Sequence, residues 1–128
     1  MKDVKLATTD QQALQEFVRY LYQSIPEQIE FVALFGSKAR GDSQKESDID
    51  VLVILAEENG ELRREILKRA ARFSLQYDVL LSPRVIGVKR WEEMRGFSIY
   101  QNVQQEAAGL EIVSGELALE PLNSVIFA

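Results

Sequence analysis

Two short apolar segments separated by a polar loop constrain this chain more than any other feature. IEFVALF (residues 29–35) and DIDVLVIL (residues 48–55) have the composition of buried strands. The second segment begins with two aspartates, and charge at the end of a buried strand costs free energy unless it is paired, hydrated or bound to a metal. We therefore expect Asp48 and Asp50 to have a function that offsets this cost.

The spacing of these aspartates suits a metal site. Residues two apart in a strand point to the same face, about 7 Å from each other. Two carboxylates so placed can share a pair of divalent cations, which hold the attacking and leaving oxygens of a phosphoryl displacement. Asp78, in a third predicted strand (residues 76–83), is a candidate third carboxylate and proton acceptor. Because the chain has no cysteine and no histidine, any metal or acid/base chemistry must use carboxylates, lysine, tyrosine or hydroxyls, and carboxylates favour hard cations such as Mg²⁺.

A possible anion site follows the first predicted strand. Gly36 permits a sharp turn, and a helix that starts there directs free N–H groups at an anion, for which a polyphosphate is the natural ligand. Ser37 can add its hydroxyl, and Lys38 and Arg40 can add positive charge. The spacing G-x-x-x-x-G-K-[ST] of a P-loop is absent from the sequence.

The order of the predicted elements indicates the fold class. Apolar residues with helical spacing cover residues 10–25, 62–73 and 99–107, with Gly109 as the stop of the last helix, and they alternate with the predicted strands. This order predicts an α/β (α+β) domain with a small mixed or antiparallel sheet. We assign residues 1–113 to this domain and residues 114–128 to an apolar C-terminal tail. That tail can pack either on its own domain or on another chain.

Composition limits the classes of partner. A formal net charge of −5 argues against stable nucleic-acid binding, which depends on clustered Lys and Arg. Arg64, Lys68 and Arg72 recur at steps of four in the third helix, and we interpret this stripe as a solvated face. The sequence has no apolar run of membrane-spanning length and no secretion signal, so we expect a cytoplasmic protein without a membrane partner.

The combined string GSKARGDSQKESDIDVLV, followed by YDVLL, closely resembles the signature of the DNA polymerase beta-like nucleotidyltransferase superfamily. Its GSKARG part is similar to the minimal nucleotidyltransferase, or MntA-like, branch. The resemblance implies helices packed mainly on one side of the sheet and Gly36 and Ser37 at the triphosphate of ATP. It also implies two Mg²⁺ ions held by Asp48 and Asp50, with Asp78 as third ligand and base. Lys38 and Arg40 would be secondary phosphate contacts.

The reaction implied by the resemblance is transfer of AMP from ATP to a hydroxyl, with release of pyrophosphate. Members of the minimal branch are often paired with a HEPN-domain partner, and some are antitoxins that adenylylate a tyrosine of that toxin. The resemblance therefore implies a HEPN-type partner. Two alternatives remain open: a transferase for a small hydroxylated compound, whose pocket would need a homo-oligomer, and a binding module that neutralises its partner by covering it.

Overall fold

The computed structural model describes residues 6–41 and 47–122. In these ranges the order of helices and strands confirms the expected α/β class. No helix among these residues is long and apolar enough to cross a membrane. The elements are α1 (Thr8–Ser24), β1 (Ile29–Phe35), α2 (Gly36–Arg40), β2 (Ile49–Leu55), α3 (Gly60–Tyr77), β3 (Leu81–Gly87), α4 (Val88–Glu93), α5 (Ser98–Glu106), β4 (Ala108–Val113) and β5 (Glu116–Pro121), with a 3₁₀ turn at Pro26–Gln28.

The five strands form one mixed sheet in the order β3-β2-β1-β4-β5. β2 is parallel to β3 and antiparallel to β1, while β4 is antiparallel to both β1 and β5. In this register Asp50 lies opposite Phe35 on one side and Ser82 on the other. The carboxyl end of β1 and the beginning of β2 therefore meet at one corner of the sheet.

Both faces of the sheet are buried. The long helices α1 and α3 cover one face with side chains such as Phe17 and Ile66, in agreement with the expected one-sided packing of the main helices. The short helices α4 and α5 cover the other face with Trp91 and Tyr100, whose ring centroids are 4.6 Å apart. This burial on both faces explains why β2 is apolar without interruption after Asp50.

Strand alternation assigns Asp50 to the face of α4 and α5. Leu52 and Ile54, two and four residues further along β2, belong to the apolar cluster of that face. Val51 and Val53 belong to the cluster beneath α1 and α3. Since residues two apart share a face, Asp50 projects on the side where α5 ends.

Two predicted boundaries were wrong. The predicted strand over residues 76–83 begins only at Leu81, because α3 continues through Tyr77, which packs on the core together with other apolar residues of the same helix face. Gly109 does not stop a helix: α5 ends at Glu106, and Gly109 lies in β4 opposite Ala33. Local apolar periodicity predicts that these elements exist, whereas tertiary packing decides where they end.

The assigned C-terminal tail is partly within the sheet. Residues Glu116–Pro121 form β5, whose Leu117 and Leu119 pack against the core beneath α1. Leu122 is buried on the opposite face. Residues 123–128 lie outside the described residues.

The outer edge of β3 is satisfied by side chains rather than by another strand. Ile49 N–H donates to the Leu80 carbonyl at 2.8 Å, so the backbone groups of residues 81, 83, 85 and 87 point away from β2. Pro83 has no N–H to offer. Ser74 Oγ accepts a hydrogen bond from Leu81 N–H at 3.0 Å. The first half of this edge therefore presents no free N–H to a further strand.

A second group of side chains covers the end of the same edge. Arg63 Nε donates to the Val85 carbonyl at 3.1 Å, and Glu58 Oε1 accepts from Gly87 N–H at 2.8 Å. Arg63 and Glu58 also form an ion pair, which orients both groups toward the strand. Capping of this kind protects an edge strand from pairing with another chain.

The Ser74→Ala substitution tests this capping. It leaves the buried Leu81 N–H without an acceptor, so the free energy of unfolding should fall by about 1–3 kcal/mol. Urea denaturation measures this change. The matched control is Ser24→Ala at the exposed end of α1, which should change stability by less than about 0.5 kcal/mol; equal effects of the two substitutions would refute the capping role of Ser74.

Candidate active site

Gly36 and Asp50 are in direct contact at the corner where β1 ends and β2 begins. Gly36 has a positive φ of 75°, which favours glycine. A Cβ at this position would overlap Asp50 Oδ2. Glycine is therefore required for two reasons, its backbone conformation and the closeness of the carboxylate.

Asp48 and Ser37 lie beside this contact. Asp48 immediately precedes β2 and is exposed, and Ser37 is the second residue of α2 and is half-buried. The structure thus brings together four of the predicted site residues, Gly36, Ser37, Asp48 and Asp50, at one corner of the sheet.

A cleft of about 300 Å³ adjoins this corner. Its walls come from β1, α2, β3 and α5. Ser98, Asn102 and Glu106 occupy successive turns of α5 and form a polar wall. The charged lining residues are Arg40, Arg84 and Glu106. The cleft therefore combines two cations, one carboxylate and neutral polar groups next to the aspartates.

The electrostatics of Asp50 depend on these neighbours. Burial raises the pKa of Asp50, and the adjacent Asp48 raises it further, whereas Arg84 and Arg40 act in the opposite direction. A carboxylate that is partly buried next to a second carboxylate is stabilised in its ionised form by a bound cation. This arrangement fits a divalent metal ion.

The two cleft arginines differ in their partners. Arg40 Nη1 lies 3.3 Å from Glu106 Oε2, so α5 helps to orient it. Arg84 is exposed, and its side chain forms no hydrogen bond or ion pair within residues 6–41 and 47–122. The guanidinium group of an arginine can donate two parallel hydrogen bonds to a phosphate.

Sequence reasoning missed Arg84. Its strand was placed too early in the chain, at residues 76–83, which left Arg84 just outside it. With β3 starting at Leu81, alternation assigns Ser82 and Arg84 to the same face as Asp50. Correct placement of the strand would have revealed the arginine.

Lys38, predicted as a secondary phosphate contact, forms an ion pair with Asp10 in the protein interior. Its side chain is 4% exposed, and Nζ lies 2.8 Å from Asp10 Oδ2. Breaking a buried pair leaves an uncompensated charge and commonly costs about 3–5 kcal/mol. Lys38 therefore anchors α2 to the beginning of α1. Sequence reasoning missed this pair because its members are 28 residues apart.

Asp78 is not brought together with Asp48 and Asp50. It ends α3 in the left-handed conformation, with φ 54° and ψ 49°, and its side chain is exposed. It lines a cavity together with Thr9 and Asp10 of α1 and with Ser47, the residue before Asp48, and α3 packs on the face opposite to that of Asp50. Within the described part of the chain, no group of three or more carboxylates is placed to hold a metal ion.

Comparisons with known proteins identify the family. The model of the family described as polymerase beta, nucleotidyltransferase, matches residues 15–89, more than half of the chain. The chain belongs to the polymerase beta nucleotidyltransferase family. The resemblance inferred from the sequence is thereby confirmed, and the protein is a nucleotidyltransferase.

Two relatives come from Methanocaldococcus jannaschii, and both are named as candidate protein adenylyltransferases. The first is 41% identical over 71 residues, which cover 55% of this chain and 72% of the relative. The second is 30% identical over 98 residues, which cover 76% of this chain and 93% of the relative.

A solved structure provides a comparison of fold. A chain of the toxin–antitoxin complex MntA–HpeT superposes with a TM-score of 0.51 at 19% identity. The match covers 79% of the present chain and 73% of the compared chain. At this identity the likeness concerns the fold alone.

The role of Gly36 in this nucleotidyltransferase can be tested by Gly36→Ala. The added Cβ should displace the Asp50 carboxylate and reduce nucleotidyl transfer by about 100-fold, because small misplacements at a reacting centre are costly. Gly115→Ala is the matched control. Gly115 has a φ of 82° with no atom near its Cβ position, so this variant should lose about 1–2 kcal/mol of stability and keep its activity. Nucleotidyl-transfer rates and urea denaturation are measured for both variants. Full activity of Gly36→Ala would refute the proposed role of Gly36.

Asp50→Asn tests the raised pKa. The folded state binds the Asp50 proton more tightly than the unfolded chain does. Ionisation of Asp50 therefore lowers the free energy of unfolding as the pH rises from the pKa of the unfolded chain through the pKa of the folded state. The variant should melt about 1–3 °C higher than wild type at pH 7, and the difference should vanish below about pH 3.

Thermal denaturation from pH 3 to 8 measures this effect, with Glu30→Gln on the exposed side of β1 as the control for loss of one charge. Mg²⁺ should raise the melting temperature of wild type and not that of Asp50→Asn. A lower melting temperature for Asp50→Asn at pH 7 would contradict the charge argument.

Proposed function

We propose that the protein transfers AMP from ATP to a hydroxyl of a partner protein and releases pyrophosphate. The observation that carries this proposal is the pair Asp48 and Asp50, held against a glycine turn beside a cleft with two arginines, in a chain of the nucleotidyltransferase family. This chemistry displaces at the α-phosphate, unlike that of a kinase, which moves the γ-phosphoryl group.

Each group of the corner has a role in the proposed reaction. Asp48 and Asp50 would hold Mg²⁺, for which their hard oxygen ligands fit. When bound, the metal would neutralise charge on the phosphates and on the attacking oxygen. Gly36 allows the phosphates to approach the backbone of α2, and Ser37 offers a hydroxyl. Because Gly36 has no side chain, the approach is not blocked.

The arginines would bind the polyphosphate from two sides. Arg40, oriented by Glu106, comes from α2, and Arg84 comes from β3. Arginine in a fixed geometry stabilises the negative charge that accumulates during phosphoryl displacement. We place Lys38 outside this set, because its pair with Asp10 in the interior supports a structural role.

Asp78 is kept as a separate hypothesis. Its assignment as third metal ligand and base derives from the family resemblance, and its position at the end of α3 favours a smaller role. Variants of this residue therefore belong in the same experiment as variants of Asp50.

The acceptor is proposed to be a protein. Both relatives from M. jannaschii are named as candidate protein adenylyltransferases, and the compared fold occurs in a toxin–antitoxin complex. The GSKARG motif also resembles the MntA-like branch. Together these observations support a tyrosine of a HEPN-type toxin as the acceptor, with the present protein as antitoxin.

ATP labelled at its α-phosphate tests the proposal. The protein is incubated with Mg²⁺, the labelled ATP and the product of the adjacent gene or a host lysate. Wild type should label one protein, and mass spectrometry should locate AMP on a tyrosine. Asp50→Asn should reduce labelling by more than about 1,000-fold, since charge stabilisation is the largest contribution to such reactions.

Three further variants refine the assignments. Arg84→Gln should raise the KM for ATP by about tenfold, as expected for loss of a charge-assisted contact, while the exposed control Arg95→Gln should leave it unchanged. Asp78→Asn should reduce labelling by less than about tenfold if its carboxylate remains on the α3 side. A stable complex between wild type and an acceptor that stays unlabelled would instead indicate a binding module.

A further inference from the structure

Ser82 lies directly across from Asp50 on the neighbouring parallel strand. The register of β2 and β3 pairs the two residues, and paired positions on adjacent strands are about 4.8 Å apart with their side chains on the same face. Ser82 is half-buried. Its hydroxyl therefore lies beside the Asp50 carboxylate, on the side of β2 opposite to β1.

The Ser82 hydroxyl is not used by the fold. Within residues 6–41 and 47–122 its side chain forms no hydrogen bond. Ser74 provides a contrast, because its hydroxyl donates to the Ala70 carbonyl at 2.8 Å and accepts from Leu81 N–H at 3.0 Å. A half-buried polar group without a partner in the protein calls for an explanation, of which a bound ion is one. The Ser82 oxygen is thus available to a ligand at the catalytic corner.

A serine hydroxyl is a suitable ligand for Mg²⁺. The ion prefers hard oxygen donors, and the Ser or Thr hydroxyl of a P-loop binds it in the same way. Asp48 and Asp50 offer two carboxylates from the start of β2, and Ser82 offers a neutral oxygen from β3. Asp78, the third carboxylate expected from the sequence, ends α3 on the other face of the sheet. The register therefore brings Ser82, and not Asp78, to the face of Asp50.

A neutral third ligand affects how the metal is held. The affinity of a site for a hard cation depends on the number of charged ligands. Within the described residues the centre has two carboxylates, Asp48 and Asp50, and Arg40 and Arg84 lie in the adjoining cleft. Glu106 is paired with Arg40. A triphosphate would bring negative charge to these arginines, so the centre favours Mg²⁺ that enters together with ATP over the free ion.

We propose that Ser82 is the third protein ligand of the Mg²⁺ centre formed with Asp48 and Asp50, and that this neutral ligand makes binding of the metal depend on ATP. This inference rests on the proposed function, in which Asp48 and Asp50 hold Mg²⁺. It adds the ligand from β3 and gives Asp78 no direct contact with the metal.

Ser82→Cys tests the direct contact. The chain contains no cysteine, so the introduced thiol is unique, and it is close in size to the hydroxyl. Thiolates are soft ligands that prefer a soft cation such as Cd²⁺ to Mg²⁺. Ser82→Cys should bind Cd²⁺ at least about tenfold tighter than Ser98→Cys, whose thiol lies on the α5 wall of the same cleft. The ultraviolet absorption of the Cd²⁺–thiolate bond measures both affinities.

Asp50→Asn in the two cysteine backgrounds examines whether the thiolate and the carboxylate share one ion. The Cd²⁺ affinity of Ser82→Cys should fall at least about tenfold, because a charged ligand of the same ion is lost. The affinity of Ser98→Cys should stay within about twofold. Equal Cd²⁺ affinities of the two cysteine variants, or binding by Ser82→Cys that does not depend on Asp50, would overturn the contact.

Ser82→Asp tests the effect of the neutral ligand. Equilibrium dialysis measures binding of Mn²⁺, used in place of Mg²⁺, without nucleotide. Ser82→Asp should bind Mn²⁺ at least about tenfold tighter than wild type, while Ser98→Asp, the same added charge in the cleft, should gain less than about threefold. Asp78→Asn should stay within about twofold of wild type. Fluorescence of Trp91, the buried single tryptophan, reports that each variant is folded.

The dependence on ATP is measured in the same dialysis with α,β-methylene-ATP, which resists cleavage at the α-phosphate. The analogue should raise the Mn²⁺ affinity of wild type at least about tenfold, and that of Ser82→Asp by a smaller factor. Equal gains in the two proteins, or no gain in wild type, would overturn the dependence. A tenfold loss of Mn²⁺ affinity in Asp78→Asn would make Asp78 the third ligand and overturn the assignment of Ser82.

The metal experiments require no transfer of AMP, so this inference and the proposed function can fail separately. Cd²⁺ binding by Ser82→Cys that depends on Asp50, without labelling of any protein by wild type, would support the ligand set and reject the proposed function. Labelling by wild type without such Cd²⁺ binding would reject Ser82 as a ligand and leave the proposed function in place.

Discussion

The contact between Asp50 and Gly36 is the constraint on which the rest of this structure depends. A carboxylate at the end of a buried strand is partly desolvated, and the neighbouring Asp48 further destabilises its ionised form. A Cβ at Gly36 would overlap this carboxylate, so the glycine leaves room for it. Strand β2 continues as an apolar core element after this point, so the charge remains at a fixed corner of the sheet.

The interior supports this corner from both sides. The apolar clusters above and below the sheet hold β1 and β2 in register. The buried pair of Lys38 and Asp10 ties the short helix α2 to α1. A five-residue helix has little stability of its own, so this pair and the packing of Ala39 keep it in place. A cation that resembles a phosphate ligand in the sequence thus acts as a structural anchor.

The outer edge of β3 and the groove beside it, between β3 and α3, present different surfaces. The outer edge of β3 is closed to strand addition by Pro83 and by side chains from α3 and the preceding loop. The groove next to it is lined mainly by apolar side chains, together with the carboxylate of Asp78. Closure of the backbone edge prevents unspecific pairing with another chain.

By itself, the sequence determined the fold class, the strands β1 and β2, and the corner formed by Gly36, Ser37, Asp48 and Asp50. These features depend on apolar runs and on residues close together along the chain, which short-range periodicity and glycine chemistry report directly. Tertiary structure alone decided the rest: where α3 ends, the entry of Arg84 into the cleft, the burial of Lys38 against Asp10, and the separation of Asp78 from the other aspartates. Each of these depends on contacts between distant segments, because a side chain's environment is set by the elements that pack against it and not by its neighbours in sequence.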